Sequence, residues 1–154
     1  MAETLFYHLE RRTLEDVLPG ILERTRERDW RALVRVGSAE RMETLDAHLW
    51  TYSEQNFLAH GTAADGHPSR QPIYLTTEDE NPNGAQVLFL VAGAQIADWG
   101  SRSLTGFARI VLMFDGREAE AVDYARGAWR NAKEAGHDVT YWKESPSGKC
   151  EKQA

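Results

Sequence analysis

Cysteine is almost missing from this sequence. Its one thiol, Cys150, stands four residues from the end, so no internal disulfide and no cysteine-built metal site can form, and a reducing compartment is the expected setting. No run approaches the length of about 18 apolar residues that a membrane-spanning helix needs. The opening segment, Met1 to Leu9, carries Glu3 and alternates like a strand, with neither the basic start nor the apolar stretch of a signal peptide. A cytoplasmic protein without membrane contact is therefore expected. Positive charge is also in short supply: 18 Lys and Arg stand against 24 Asp and Glu, for a net charge of −6. Affinity for nucleic acid comes mostly from cation clusters that displace counterions from phosphates, so direct contact with DNA or RNA is not expected.

Phosphate-cradling glycines are lacking as well. The first apolar strand is followed by Glu10-Arg11-Arg12-Thr13, which contains none of the glycines that let a backbone approach a pyrophosphate. No Gly-x-x-x-x-Gly-Lys-Ser/Thr occurs anywhere, so nucleotide chemistry has no motif and no cofactor is expected. His60, Asp65 and His67 share a loop and are the only candidate zinc ligands, at a spacing that matches no established pattern. Ser53, Ser69 and Ser101 lack the glycine frame of a nucleophile elbow, while Glu78 and Glu80 sit in an acidic turn that reads as solvated surface. No catalytic set emerges. A zinc- or nucleotide-dependent enzyme remains the competing reading.

What is present is a chain that is 42% hydrophobic, with five each of Trp, Tyr and Phe. A domain of this length removes roughly 68–70% of its unfolded surface from water, enough for one core without staples. Leu5 to Leu9 reads as a strand, and Thr13 caps a helix toward Arg28 that Pro19-Gly20 is expected to kink or to leave with a short first turn. Ala32 to Val36 is a second strand, and Ser38 caps a second helix reaching Leu49. A long loop from Thr51 to Gln71 is followed by strands at Ile73 to Thr76, Val87 to Val91 and Ala108 to Phe114. The last two are continuous apolar runs, expected of parallel strands buried on both faces. Ala97 to Gly106, between them, reads as polar loop. A helix from Arg117 to Ala135 stops at Gly136, and Val139 to Trp142 forms a last strand. The alternation predicts a single Rossmann-like three-layer α/β sandwich with a mostly parallel sheet over residues 1–144, with 145–154 as a flexible tail.

The final helix carries the most information. At about 100° per residue, Ala121, Ala125, Ala128 and Ala132 gather on one side as a small-residue stripe suited to packing on a sheet. Val122, Arg126, Trp129, Arg130 and Lys133 share a second face, with Val122 and Trp129 nearest the stripe. An apolar floor beside guanidinium groups suits a short acidic peptide with an apolar end, because arginine forks onto carboxylates while the apolar anchor is desolvated. A boundary tryptophan with solvated cations beyond it is the plainer alternative. Trp50, Tyr52, Phe57 and His60 form a second aromatic concentration, either tucked under the loop or displayed for contact.

Several blocks in order resemble the chi subunit family of the bacterial DNA polymerase III holoenzyme. They are Phe6-Tyr7-His8-Leu9, Leu18-Pro19-Gly20-Ile21-Leu22, Leu45-Asp46-Ala47-His48-Leu49-Trp50-Thr51 and Asn56-Phe57-Leu58-Ala59-His60-Gly61, followed by Gln71-Pro72-Ile73, Asn81-Pro82-Asn83-Gly84-Ala85 and Phe114-Asp115-Gly116. The series closes with Ala125-Arg126, Trp129, Ala135-Gly136-His137 and Tyr141-Trp142. The resemblance implies a non-enzymatic adaptor that binds the acidic C-terminal tail of single-stranded-DNA-binding protein and joins the clamp loader, in some bacteria through a small psi subunit. It implies tail-binding roles for Arg126, Trp129 and Arg130, with Phe114, Asp115, Val122 and Lys133 nearby, and a second partner patch at Trp50, Phe57 and His60. Three positions depart from the family pattern: Val122 stands where some relatives carry lysine, Ala59 where proline is familiar, and Cys150 where an aromatic is common.

Overall fold

The computed structural model describes residues 3–53, 58–147 and 150–153. Its elements run β1 (Glu3–Leu9), α1 (Leu14–Glu27), β2 (Ala32–Val36), α2 (Ala39–Thr51), β3 (Ile73–Thr76), β4 (Val87–Val91), β5 (Arg109–Asp115), α3 (Ala119–Glu134), β6 (Asp138–Glu144) and β7 (Cys150–Lys152). The strands form one sheet in the order β3-β2-β4-β5-β1-β6-β7. Every pairing among β1 to β6 is parallel, and β7 alone runs antiparallel, against β6. The segment after Ser145, expected as a tail, thus contributes a short edge strand.

The predicted Rossmann-like sandwich is the observed architecture. The chain crosses in one direction from β1 to β2 and β3, and in the other from β5 to β6. With right-handed crossovers this places α1 and α2 on one face and α3 on the other. The two core clusters follow that division. Leu18, Leu22, Leu45 and Leu49 of α1 and α2 pack with Leu5, Val34 and Phe89. Ala125, Ala128 and Ala132 of α3 pack with Phe6, Leu88, Ile110 and Leu112. Alternation along each strand sends successive side chains to opposite faces, so the apolar runs of β4 and β5 are buried on both sides.

Two expectations need correcting. Pro19 does not cut α1 to a short first turn: the helix is continuous from Leu14 to Glu27. Its missing N–H would leave the Glu15 carbonyl without a helical partner, and His48 Nε2 of α2 donates to that carbonyl at 2.7 Å. The connection between β4 and β5, read as polar loop, does the work of a helix. It buries Ile96, Trp99, Leu104 and Phe107 beside α3, with Trp99 stacked on Phe6.

Candidate functional site

The alanine stripe seats α3 on the sheet as the sequence predicts: Ala125, Ala128 and Ala132 are buried. That seating turns Val122 and Trp129 toward the β6 side of the helix, where both pack against the core while half-exposed. The Trp129 indole stands edge-on to two rings, Phe6 at 5.6 Å and Tyr141 at 5.9 Å between centroids, and Lys133 Nζ lies 5.0 Å from its ring centre. Arg126 and Arg130 are exposed on the same face. Among the described residues neither enters an ion pair. α3 and β6 thus meet along a seam where Trp129 packs against Tyr141.

Beside this seam lies the C-terminal end of β5. Phe114 is buried and lies 5.0 Å from the His8 ring and 6.3 Å from Tyr141. Asp115 is not available as a free anion, because Arg117 grips both its oxygens at 2.9 and 3.2 Å. That grip is the main reason its carboxyl is held below the usual range, against the opposing effect of burial. The Asp115 charge is thereby paired within the chain, and Glu10, 3.3 Å from both His8 Nε2 and Lys143 Nζ, is a second acid at this end. Val122, Arg126, Trp129, Arg130 and Lys133 share this face of α3, with Phe114 in the core cluster beside it, while Asp115, next along β5, alternates to the other side of the sheet and pairs with Arg117.

Two contributors, Tyr141 and His8, escaped the reading of α3 alone. Their strand alternation was visible in the sequence, but which strand would border α3 was not.

The second aromatic group is only partly described. Trp50 is 49% exposed and lies 4.4 Å from the buried His60 ring; Phe57 falls outside the described residues. His60 Nδ1 faces the Leu58 carbonyl at 2.7 Å, and its Nε2 faces Asp46 Oδ1 at 3.1 Å. Burial pushes the Asp46 carboxyl up, and His60 opposes that shift.

The proposed zinc trio is not assembled. His60 is engaged as above, Asp65 closes a capping box with Thr62, and His67 is an exposed residue at φ 51°. No group of three His, Cys, Asp or Glu suited to a metal occurs among the described residues.

A crevice of about 430 Å³ opens at the C-terminal edge of the sheet, between the starts of α1 and α3. Doubly wound sheets hold their nucleotides in such a crevice, with phosphate on the turn after β1. Here that turn already holds an anion. Glu144, from the end of β6, offers one oxygen to the backbone N–H groups of Glu10, Arg11 and Arg12 at 3.1, 2.5 and 3.0 Å. Its other oxygen accepts from Arg12 Nε at 2.6 Å. Burial raises the pKa of this carboxyl, but the Arg12 bond and the three backbone bonds outweigh it and bring it down to about 2. The cradle is occupied by the chain's own carboxylate.

Residues 1–140 match the family described as the DNA polymerase III chi subunit, HolC. The chain belongs to the DNA polymerase III chi subunit family. A curated relative from Rickettsia prowazekii (strain Madrid E), named a probable DNA polymerase III subunit chi, is 29% identical over 117 residues, covering 75% of this chain and 71% of the relative. Membership makes the protein a replication accessory subunit. The match spans β1 through α3 and the start of β6, so it contains the whole of α3 and ends just before Tyr141. Among the described residues no helix is long and apolar enough to cross a membrane.

Proposed function

We propose that this chi-family chain is a non-catalytic adaptor that captures the acidic C-terminal tail of single-stranded-DNA-binding protein along the α3–β6 seam and links it to the polymerase III clamp loader. The observation that carries this reading is the pair Arg126 and Arg130, exposed and outside every ion pair among the described residues, beside the half-exposed Trp129. Arg12, Arg109 and Arg117 are matched by acids of the same chain, whereas Arg126 and Arg130, like Arg11, Arg24, Arg41, Arg70 and Arg102, are not; what sets the α3 pair apart is the indole of Trp129 on the same helical face. Arg126 and Arg130 are left for carboxylates from elsewhere, and Trp129 with Val122 supplies the apolar seat for the end of such a peptide. Lys133, over the indole, adds charge at the far end.

Trp50, with His60 behind it and Phe57 near it in sequence, is the proposed contact for a second partner, a psi subunit or another clamp-loader protein. Exposed tryptophan is enriched in such interfaces. The protein is proposed to need no metal, nucleotide or direct contact with DNA for this role.

Fluorescence anisotropy with a labelled acidic peptide ending in an apolar residue tests the first assignment. Arg126→Ala and Trp129→Ala are each expected to cost about 1–3 kcal/mol of binding free energy, with the thermal midpoint nearly unchanged for Arg126→Ala. Wild-type affinity in both variants would remove the seam as the tail site.

A further inference from the structure

Asp46 and Trp50 stand four residues apart on α2, so their side chains share one face of that helix. His60 is set against both. Its imidazole is wholly buried, and its centroid lies 4.4 Å from that of Trp50. The next residue, Gly61, is bonded to the outer side of β3: its N–H donates to the Ile73 carbonyl at 3.0 Å, and its carbonyl accepts from the Leu75 N–H at 2.9 Å. His60 therefore joins the end of α2 to the sheet edge, and the exposed Trp50 packs on that joint.

The joint closes only with two protons in place. His60 Nδ1 lies 2.7 Å from the Leu58 carbonyl, which can only accept, so Nδ1 carries a proton. Nε2 faces two more acceptors, the Asp46 carbonyl at 3.2 Å and Asp46 Oδ1 at 3.1 Å. A neutral imidazole has a single N–H, and the Leu58 carbonyl takes it. A second proton must lie between Nε2 and Oδ1, held by one atom or the other, because without it a ring lone pair would face a carboxylate oxygen. Oδ1 is itself buried and has no other hydrogen-bonding partner among the described residues. Burial pushes the Asp46 carboxyl up most strongly, His60 opposes that shift, and the Asp65 charge adds to it. Asp46 from α2 and Asp65 from the turn at Ala63–Asp65 are the charged groups around the shared proton.

We propose that Asp46 and His60 form a one-proton latch beneath Trp50: with the shared proton bound, the ring is clamped between α2 and the Leu58 carbonyl, and rising pH removes the proton and loosens the seat of Trp50. In an unfolded chain near neutral pH the aspartate is ionised and the histidine largely neutral, so the folded pair carries one proton more. Folding that takes up a proton is weakened as pH rises, which fixes the sign. An aromatic side chain held in place before binding gives contact area at little entropic cost, so the latch decides how firmly Trp50 is presented. That consequence rests on the proposed second partner contact; the latch itself does not, and it is tested without a partner.

The test follows the Trp50 indole N–H and the His60 ring protons of the full-length chain by NMR from about pH 6 to about pH 9. In the wild type both sets of signals are expected to shift together, with one midpoint. Asp46→Asn puts a permanent amide donor where the shared proton was, and is expected to hold the Trp50 signal at its low-pH position throughout. A merely structural contact between the two rings would not give this pair of results. The proposal is overturned if the wild-type Trp50 signal stays fixed across that range, or if it titrates in Asp46→Asn as it does in the wild type. The wild-type arm decides the matter even where Asp46→Asn fails to fold.

Discussion

The carboxylate of Glu144 ties the last parallel strand to the turn after the first. Four hydrogen bonds converge on a side chain that is wholly buried, and losing its charge leaves three backbone N–H groups without their anion. Glu144→Gln is expected to lower the unfolding free energy by about 2–4 kcal/mol, read from urea denaturation at pH 7. The sign of the pH dependence follows from the lowered folded pKa. Because that value is about 2 against 4.5 for a free glutamate, the stabilisation is complete above pH 4.5 and is lost as pH falls toward 2. Wild type should therefore lose more stability than Glu144→Gln between pH 5 and pH 2.5; parallel curves for the two would refute the account. The same carboxylate sits on the turn after β1, where doubly wound nucleotide binders hold phosphate.

Among the elements, α1 shows how a local rule is overridden by a neighbour. Pro19 predicts a kink or a short first turn, and the helix runs on through it while His48 of α2 satisfies the carbonyl that proline leaves open. His48→Ala is expected to cost about 1 kcal/mol by exposing that carbonyl to an incomplete partner set. Pro19→Ala should recover more stability in the His48→Ala background than in the wild type, since alanine restores the helical N–H; a double-mutant cycle by thermal denaturation with no coupling would exclude the link. Most elements were legible in the sequence. The caps Thr13 and Ser38, the apolar runs of β4 and β5 and the alanine stripe of α3 are local signals, and each appears in the structure within a few residues of its expected position. Trp99 was not legible. It lies among polar residues, and only the width of sheet left uncovered by α3 calls the β4–β5 connection down onto Phe6. The site divides along the same line. Arg126, Trp129 and Arg130 share a helical face that spacing alone reveals, whereas Tyr141 and His8 join them through strand order, which no periodicity encodes.

For the molecule as a whole, a net charge of −6 is an average over unlike surfaces. Arg12, Arg35, Arg109 and Arg117 are each matched by a carboxylate of the same chain, so the formal count of cations overstates what a ligand would meet. Like the exposed Arg11, Arg24, Arg41, Arg70 and Arg102 elsewhere on the surface, Arg126 and Arg130 on α3 are left outside any ion pair among the described residues. Because those contacts are exposed, the proposed tail binding should weaken steeply between 50 and 500 mM salt, as the screening length falls from about 14 Å to about 4 Å. Arg126→Ala should show a shallower salt slope than the wild type; equal slopes in anisotropy titrations would mean that the cation is not a contact. The sequence by itself determined the layers, the helix ends, the absence of nucleotide glycines and the basic face of α3, because each depends on residues close together in the chain. The tertiary structure alone decided that β6 borders α3, that Glu144 fills the cradle after β1, and that His8 backs Tyr141. In each of these the partners are more than 130 residues apart in the chain, or meet only once the parallel strands are in order, and it is sheet packing that brings them within bonding distance.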